Sequence, residues 1–155
     1  MSLFSRVSAF LTERNVPFRT VHHQPTFTSE ESAKARGEDV RTGGKAIVMK
    51  IDAEFKLFVL SAALKVDSKR IKEHFRAKSI RFATKEELLE LTGLVPGSVP
   101  PFGRPILNLD LYIDPSVLRN ETIAFNAGSL TDSVILRTFD YLSIVDAEQF
   151  AFSQQ

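Results

Sequence analysis

Lys45-Ala-Ile-Val-Met-Lys-Ile51 is an apolar run that is followed, after the short segment Asp52-Ala-Glu-Phe55, by a second one, Lys56-Leu-Phe-Val-Leu-Ser-Ala62. Runs of this length that are rich in Val, Ile, Leu and Phe and are bounded by turn residues are typical of buried strands. The two runs therefore predict a β-hairpin of buried strands at the centre of the fold.

Helical patterns lie on both sides of this hairpin. Upstream, Leu3, Val7, Phe10 and Leu11 recur at helical spacing and predict a helix that ends near Arg14. Capping patterns and stop signals predict further helices at Thr28 to Gly37, at Asp67 to Phe75, at Thr84 to Gly93, and a short one that begins at Asp114-Pro115.

Further strands are predicted at Phe18 to His22, Leu107 to Ile113, Thr122 to Asn126, Ser133 to Thr138 and Tyr141 to Val145. No internal repeat, low-complexity segment or linker interrupts the chain. The sequence therefore predicts a single α+β domain over residues 1–155, in which helices flank a mixed central β-sheet.

The composition excludes several kinds of site. The chain has 155 residues, enough to bury a core, and it contains no cysteine, so disulfides, thiolate metal sites and a cysteine nucleophile are excluded. The first residues lack the apolar run of a signal peptide, and no stretch has the length of a membrane span. We therefore expect a cytoplasmic protein that does not contact a membrane.

Gly43-Gly44-Lys45 matches the last residues of a phosphate-binding P-loop, but the full pattern fails. It requires Gly at position 39 and Ser or Thr at position 46, where this chain has Asp39 and Ala46. A kinase or NTPase is therefore not expected. Lys45 itself lies at the start of an apolar strand, where its side chain either extends to water or reaches into a pocket. The spacing alone leaves both interpretations open.

The segment Gly97-Ser-Val-Pro-Pro-Phe-Gly103 predicts a rigid loop. Glycine permits unusual backbone dihedral angles, and consecutive prolines restrict the chain. Such a loop can present fixed N–H groups to an oxyanion, or it can be a simple connection before a strand.

The histidines do not form a metal-binding pattern. His22 and His23 are adjacent and would point to opposite faces of a strand, and the third histidine, His74, stands alone. No Gly-x-Ser-x-Gly segment is present, so a serine triad lacks its local signature. We therefore expect neither a metal nor a cofactor.

Two further polar segments have a plain and a functional interpretation. The segment from Asn126 to Asp132 is a turn between strands that could also border a site. Lys65 to Arg81 carries seven basic and two acidic residues, and this excess is either a solvated surface or a face for a polyanion.

Taken in order, these segments resemble the YbaK/prolyl-tRNA synthetase-associated editing domain family over nearly the whole chain. The segments that carry the resemblance are His22-His23-Gln24-Pro25, Thr26 to Ser32, Gly44-Lys45-Ala-Ile-Val48, Leu60-Ser-Ala62, the basic helix, Val95 to Gly103, and Asn126-Ala-Gly128. None of these motifs is highly specific alone, but their order and spacing are.

The resemblance implies roles for particular residues. Lys45 matches the family's functional lysine, and Gly97 to Pro101 match its Gly-x-x-x-Pro loop. We expect catalysis to involve Lys45 with the backbone of Gly97, Ser98 and Val99. The expected substrate-binding residues are His23, Pro101, Phe102, Asn126, Gly128, Ser129 and Ser133. The expected tRNA-binding residues are Lys69, Lys72 and Arg76 on the basic helix.

The resemblance also implies the reaction, which is hydrolysis of mischarged aminoacyl-tRNA in trans. Ala46 and Ser133 stand where YbaK-like members carry Thr and Asp, which argues against specificity for Cys-tRNA. The form of the proline loop favours removal of Ala, Ser or Thr. The expected partners are tRNA and an aminoacyl-tRNA synthetase. The alternatives are a tRNA-binding or synthetase-associated module without catalysis and a hydrolase of small esters that ignores RNA.

Overall fold

The computed structural model describes residues 1–154 and contains five α-helices and eight strands. The helices are α1 (Leu3–Glu13), α2 (Ser29–Arg36), α3 (Ser68–Phe75), α4 (Lys85–Thr92) and α5 (Thr138–Ile144). The strands are β1 (Phe18–His22), β2 (Gly44–Ile51), β3 (Glu54–Ser61), β4 (Ile80–Phe82), β5 (Leu111–Ile113), β6 (Thr122–Asn126), β7 (Asp132–Arg137) and β8 (Ala147–Gln149).

The strands form two sheets. One has three antiparallel strands in the order β1-β7-β6, and the other has five strands in the order β4-β2-β3-β5-β8. In the larger sheet, β2 is antiparallel to both β3 and β4, whereas β3, β5 and β8 are parallel to one another. The predicted α+β class with mixed β-structure is confirmed, although the division into two sheets was not predicted.

The predicted hairpin is confirmed as β2 and β3, which pair from Gly44 opposite Ser61 to Ile51 opposite Glu54. Side chains alternate between two apolar clusters. Val48, Leu57 and Val59 belong to the larger core, which also contains residues of α1, β6 and β7. On the other face of the sheet, the smaller cluster includes Met49 and Phe58 with Ile71 of α3.

Two predicted strands differ from the structure. The prediction of a strand over 141–145 is wrong, because these residues belong to α5 and the segment that follows it. Tyr141 and Leu142 follow Thr138 at helical spacing, and a short apolar run does not distinguish a strand from a helix. Only Leu111–Ile113 of the predicted strand over 107–113 is a strand, because Gly103 O accepts the N–H groups of both Ile106 and Leu107 in a turn.

A buried carboxylate joins the end of the chain to the larger sheet. Asp114 is 1% exposed, and it accepts hydrogen bonds from the N–H groups of Phe152 (2.7 Å), Ser153 (3.0 Å) and Ser116 (2.9 Å). Burial raises the pKa of Asp114, but hydrogen bonding from the Ser116 side chain and from the N–H groups of Phe152 and Ser116 outweighs it and holds the pKa below the ordinary value. The ionised form therefore stabilises the fold.

Replacing Asp114 with alanine is expected to lower the free energy of unfolding at neutral pH by about 3 kcal/mol, because three buried N–H groups lose their acceptor. The contribution is present above the unfolded-state pKa of about 3.9 and is lost as the pH falls below it through the lowered folded-state value. Urea unfolding of parent and variant as a function of pH measures this difference. An equal loss of stability in the exposed variant Asp146→Ala would contradict the explanation.

Among the described residues, no helix combines the length and the apolar character that are needed to cross a membrane.

Candidate functional site

A cavity of about 340 Å³ opens where α2, the start of β2 and the proline loop meet. Its walls come from four parts of the chain, within 26–36, 43–48, 82–88 and 96–99, with Ala62 and two residues of β6, Ala124 and Asn126. Segments that are distant in sequence thus converge on one concave site, the usual position of a ligand.

Gly43 and Gly44 are required by close packing at the base of this cavity. A Cβ atom on Gly43 would lie 2.7 Å from Ala62 Cβ, and one on Gly44 would lie 2.6 Å from Ile123 Cδ1. Gly43 also forms an isolated parallel bridge with Ala124 of β6. The glycine pair therefore allows the two sheets to approach each other, and its match to a P-loop has no phosphate-binding meaning.

Lys45 is half buried on β2 and lines the cavity. Its Nζ donates a hydrogen bond to the carbonyl oxygen of Leu64. Burial lowers the pKa of Lys45, Glu30 opposes that shift, and Lys65 adds to it. Of the two interpretations that the sequence left open, the structure favours a lysine in the wall of a pocket over one that extends into bulk solvent.

Hydrogen bonds from neighbouring segments fix the loop around Gly97. Gly97 has a φ of 89°, and its carbonyl accepts from Asn126 Nδ2 at 2.8 Å. The carbonyl of Ser98 accepts from Gly128 N at 2.8 Å, and the Ser98 N–H donates to Val95 O at 3.1 Å. Within residues 1–154, the N–H groups of Gly97 and Val99 donate to no acceptor, although both residues line the cavity. These two donors are therefore available to a ligand.

A buried polar network lies beside the loop. Arg36 donates from Nε to Ser133 Oγ at 2.8 Å and from Nη2 to Asn126 Oδ1 at 3.1 Å. Ser133 Oγ also donates to Asn126 Oδ1 at 3.1 Å and lies 2.8 Å from His23 Nε2. Burial lowers the pKa of Arg36 to about 10, with Glu38 opposing the shift, so the side chain stays cationic at neutral pH.

Several expected site residues are buried next to the cavity and do not line it. Ser98 is 2% exposed, and its hydroxyl donates to Val95 O, so its side chain has no role as a nucleophile in this geometry. Phe102 packs edge-on against Phe10, Phe125 and Tyr141. The Tyr141 hydroxyl donates to Pro101 O at 2.6 Å. These contacts support the loop from the core.

The remaining expected residues also lie outside the cavity lining. His23 and Ser133 are connected to it through Arg36 and Asn126. Gly128 lies against Leu3, and Ser129 bonds to Thr131 and Asp132. The three residues of α3 and its C-cap that were expected to bind tRNA, Lys69, Lys72 and Arg76, are exposed and line no part of the cavity.

Sequence reasoning missed Arg36 and the apolar end of the cavity around Ala83 and Leu88. A basic residue in the last turn of a helix is ordinarily explained by the helix dipole, so its position carried no signal of a site. Its partner Ser133 is 97 residues away in the chain.

The charged side chains that line the cavity are the two cations, Lys45 and Arg36, and no carboxylate or imidazole lies among them. In the described part of the chain, no three His, Asp or Glu side chains are grouped so that they could hold a metal ion. The arrangement can bind a negatively charged or developing anionic group through two cations and two backbone N–H groups.

The model of the aminoacyl-tRNA editing domain family matches residues 23–144. The multifunctional Ser/Thr-tRNA deacylase ProXp-y of Escherichia coli strain K12 is 36% identical over 153 residues, which cover 95% of this chain and 90% of the relative. A proline–tRNA ligase of Shouchella clausii is 31% identical over 101 residues, 65% of this chain and 18% of the ligase. A solved structure of a candidate trans-editing enzyme for prolyl-tRNA synthetase superposes with a TM-score of 0.85 at 25% identity, covering 100% of this chain and 99% of that one.

Proposed function

The chain belongs to the aminoacyl-tRNA editing domain family and is a hydrolase that edits mischarged tRNA, and we propose that the amino acid it removes is small, namely alanine, serine or threonine. The observation that carries this proposal is one cavity that combines unused backbone N–H groups with two cations and several apolar side chains. The whole chain, residues 1–155, would act as one editing domain in the cytoplasm, where aminoacyl-tRNA is made and used.

The reaction requires stabilisation of an oxyanion. Water adds to the ester carbonyl, and negative charge develops on the carbonyl oxygen before the ribose hydroxyl leaves. We assign the N–H groups of Gly97 and Val99 to this oxygen. Because hydrogen bonds from Asn126 and Gly128 already hold the loop, the donors need no rearrangement when the charge develops.

Lys45 supplies a fixed positive charge at the wall of the same cavity. In the proposed complex its ammonium group lies near the terminal phosphate or the ester of the tRNA 3′ end. Its hydrogen bond to Leu64 O fixes the amine, and burial strengthens its interaction with an anion because the local dielectric constant is lower than in water. The tRNA is thus held by its charge as well as by its amino acid.

The attacking water has no general base among the side chains that line the cavity, because these include no carboxylate and no imidazole. We propose that a ribose hydroxyl of the terminal adenosine takes part in activating the water. This assignment makes hydrolysis depend on the substrate's own hydroxyl. The alternative of a binding module without catalysis predicts salt-sensitive tRNA binding with no loss of ester.

Arg36 is proposed as a positioning residue for the loop. It fixes Asn126 Oδ1, and the same amide donates from Nδ2 to the carbonyl of Gly97. Arg36→Ala is expected to lower kcat by about 100-fold with a smaller change in KM, because a displacement of about 1 Å in the loop has an effect of this order. Single-turnover deacylation measures it, with the exposed Arg19→Ala as the control. A change confined to KM would contradict the positioning role.

Four apolar side chains line one part of the cavity, namely Ala46 and Val48 of β2 and Ala83 and Leu88 around α4. We propose that they limit the bound aminoacyl side chain to about the size of threonine. A hydrophobic pocket distinguishes one methylene group by about 10- to 200-fold. The cavity is therefore suited to separating small residues from large ones.

Ala46→Val is expected to lower kcat/KM for Thr-tRNA by about tenfold more than for Ala-tRNA, because the added methyl groups fill space that the larger substrate needs. Deacylation of the two charged tRNAs by parent and variant measures the ratio. The control is Ala151→Val, an exposed position outside the cavity. An equal fall for both substrates would show that Ala46 does not border the amino acid.

The basic residues Lys69, Lys72 and Arg76 are proposed to contact tRNA outside the cavity. They are exposed on α3 and its C-cap. Lys65, whose charge lowers the pKa of Lys45, lies shortly before this helix. A synthetase is also a proposed partner, since an editing enzyme that acts in trans meets its substrate after the synthetase releases it.

A further inference from the structure

A second groove lies away from the cavity, between the segment that precedes β6 and the start of α5. Leu118, Arg119, Glu121, Arg137 and Phe139 are among the residues that line it. It is more open to solvent than the editing cavity, so the surface of a large partner can reach it.

Both arginines of this groove are free. Most arginines of the described chain pair with a carboxylate or donate to a carbonyl, for example Arg104 with Asp110 at 2.6 Å. Within residues 1–154, only Arg76, Arg119 and Arg137 make neither a side-chain hydrogen bond nor an ion pair. Two of these three lie in one groove. Glu121 also lines the groove and pairs with neither arginine. Unpaired guanidinium groups that share a groove favour a phosphate ligand, which they bind through two N–H groups.

The groove also exposes apolar surface beside these charges. The Phe139 side chain is 74% exposed, and Leu118 is 42% exposed. In the same part of the molecule, Thr138 Oγ1 is buried without a hydrogen-bond partner in the described chain, which is unusual for a buried hydroxyl. An exposed aromatic ring next to free arginines is the combination that binds RNA, because bases stack on the ring while phosphates meet the cations.

The groove lies close to the editing cavity, and one hydrogen bond and strand β6 connect the two sites. Asn120, which lines the groove, donates from Nδ2 to Arg41 O at 2.9 Å, and Arg41 is two residues before Gly43 of the cavity. Both sites use β6, because Thr122 at its start lines the groove and Ala124 and Asn126 line the cavity. At about 3.3 Å per residue, these residues lie about 7 to 13 Å apart along the strand, so one tRNA 3′ end can reach both sites.

We propose that this groove binds the backbone of the tRNA acceptor arm close to the esterified adenosine. Arg119 and Arg137 contact phosphates, and Phe139 packs against an unpaired base or a ribose. The inference rests on the proposed function, because it places the 3′ end in the editing cavity. It adds to α3 a second RNA-binding surface, one that raises affinity without taking part in the chemistry.

The test compares Arg119→Ala/Arg137→Ala with the parent and with Arg104→Ala, which removes a guanidinium outside both surfaces. Binding of uncharged tRNA is measured as a function of salt, and hydrolysis is measured on Ser-tRNA and on seryl-adenosine, which is too short to reach the groove. We expect about tenfold weaker tRNA binding and a salt slope reduced by about 1.5, as for two lost phosphate contacts. We expect kcat on Ser-tRNA and the hydrolysis of seryl-adenosine to be unchanged.

The pair Arg119→Lys/Arg137→Lys keeps both charges and is expected to retain most of the affinity. Parental affinity and salt slope in the alanine pair would overturn the proposal, and so would equal losses in the alanine and lysine pairs, which would indicate a structural effect. Retained tRNA binding together with loss of a protein partner would also overturn it. If the parent binds tRNA but hydrolyses no ester, the proposed function is wrong. The binding data would still show whether the groove contacts tRNA.

Discussion

Replacing Lys45 with alanine is expected to lower kcat/KM for a small aminoacyl-tRNA by about 100-fold or more, the loss that follows removal of one group that stabilises a developing anion. The amine is half buried, lines the cavity and is fixed by Leu64 O. Burial lowers the pKa of Lys45, so the charge of the amine does not stabilise the fold, and the variant is expected to remain folded in a urea unfolding experiment.

The measurement is single-turnover deacylation of Ser-tRNA by the parent, by Lys45→Ala and by Lys50→Ala. Lys50 is a matched control because it is also half buried on β2 but is not part of the cavity lining. Lys50→Ala should remain within about twofold of the parent, as expected for a change away from the site. Parental deacylation by Lys45→Ala would exclude the amine from the mechanism.

The second large effect is expected at Gly97. Its φ of 89° is unfavourable for any residue with a Cβ atom, although a Cβ there would meet only Leu130 Cδ2 at an ordinary 3.5 Å. Gly97→Ala is therefore strained by its backbone and not by crowding. We expect the loop to relax by moving its N–H groups, and kcat to fall by about 100-fold.

A second glycine provides the control for this strain. Gly93 has a φ of 75° with nothing within 4 Å of an added Cβ, and it lies outside the cavity lining. Gly93→Ala and Gly97→Ala should both lose about 1 kcal/mol of stability, but only Gly97→Ala should lose activity. Equal activity in the two variants would show that the loop donors do not act on the substrate.

Local signals in the sequence predicted much of the fold and part of the site. Caps, stop signals and apolar runs located α1 to α4 and the central hairpin because each depends on neighbouring residues. The strand predicted over 141–145 is wrong because a run of this length fits a helix equally well. Tyr141 is fully buried, and its hydroxyl donates a hydrogen bond to Pro101 O, which is 40 residues away in the chain, so no local pattern could predict this contact.

The site shows the same limit. Lys45 and the Gly97 loop were recognised through the order of motifs along the chain, and the structure places both at one cavity. Arg36 was not predicted because its contacts are with Ser133 and Asn126, which no local pattern connects to it. Conversely, Ser98 and Phe102 lie in the expected loop, but their side chains face the core, a direction that spacing alone does not give.

The proposed substrate is tested most directly by a deacylation panel of Ala-, Ser-, Thr- and Cys-tRNA, with Phe-tRNA as the bulky comparison. The parent protein should clear at least one of the Ala, Ser and Thr esters far faster than buffer alone and should leave Phe-tRNA charged. Ala, Ser and Thr esters that all decay at the buffer rate, or a Phe ester that is cleared as fast as they are, would contradict a cavity built to hydrolyse small aminoacyl esters.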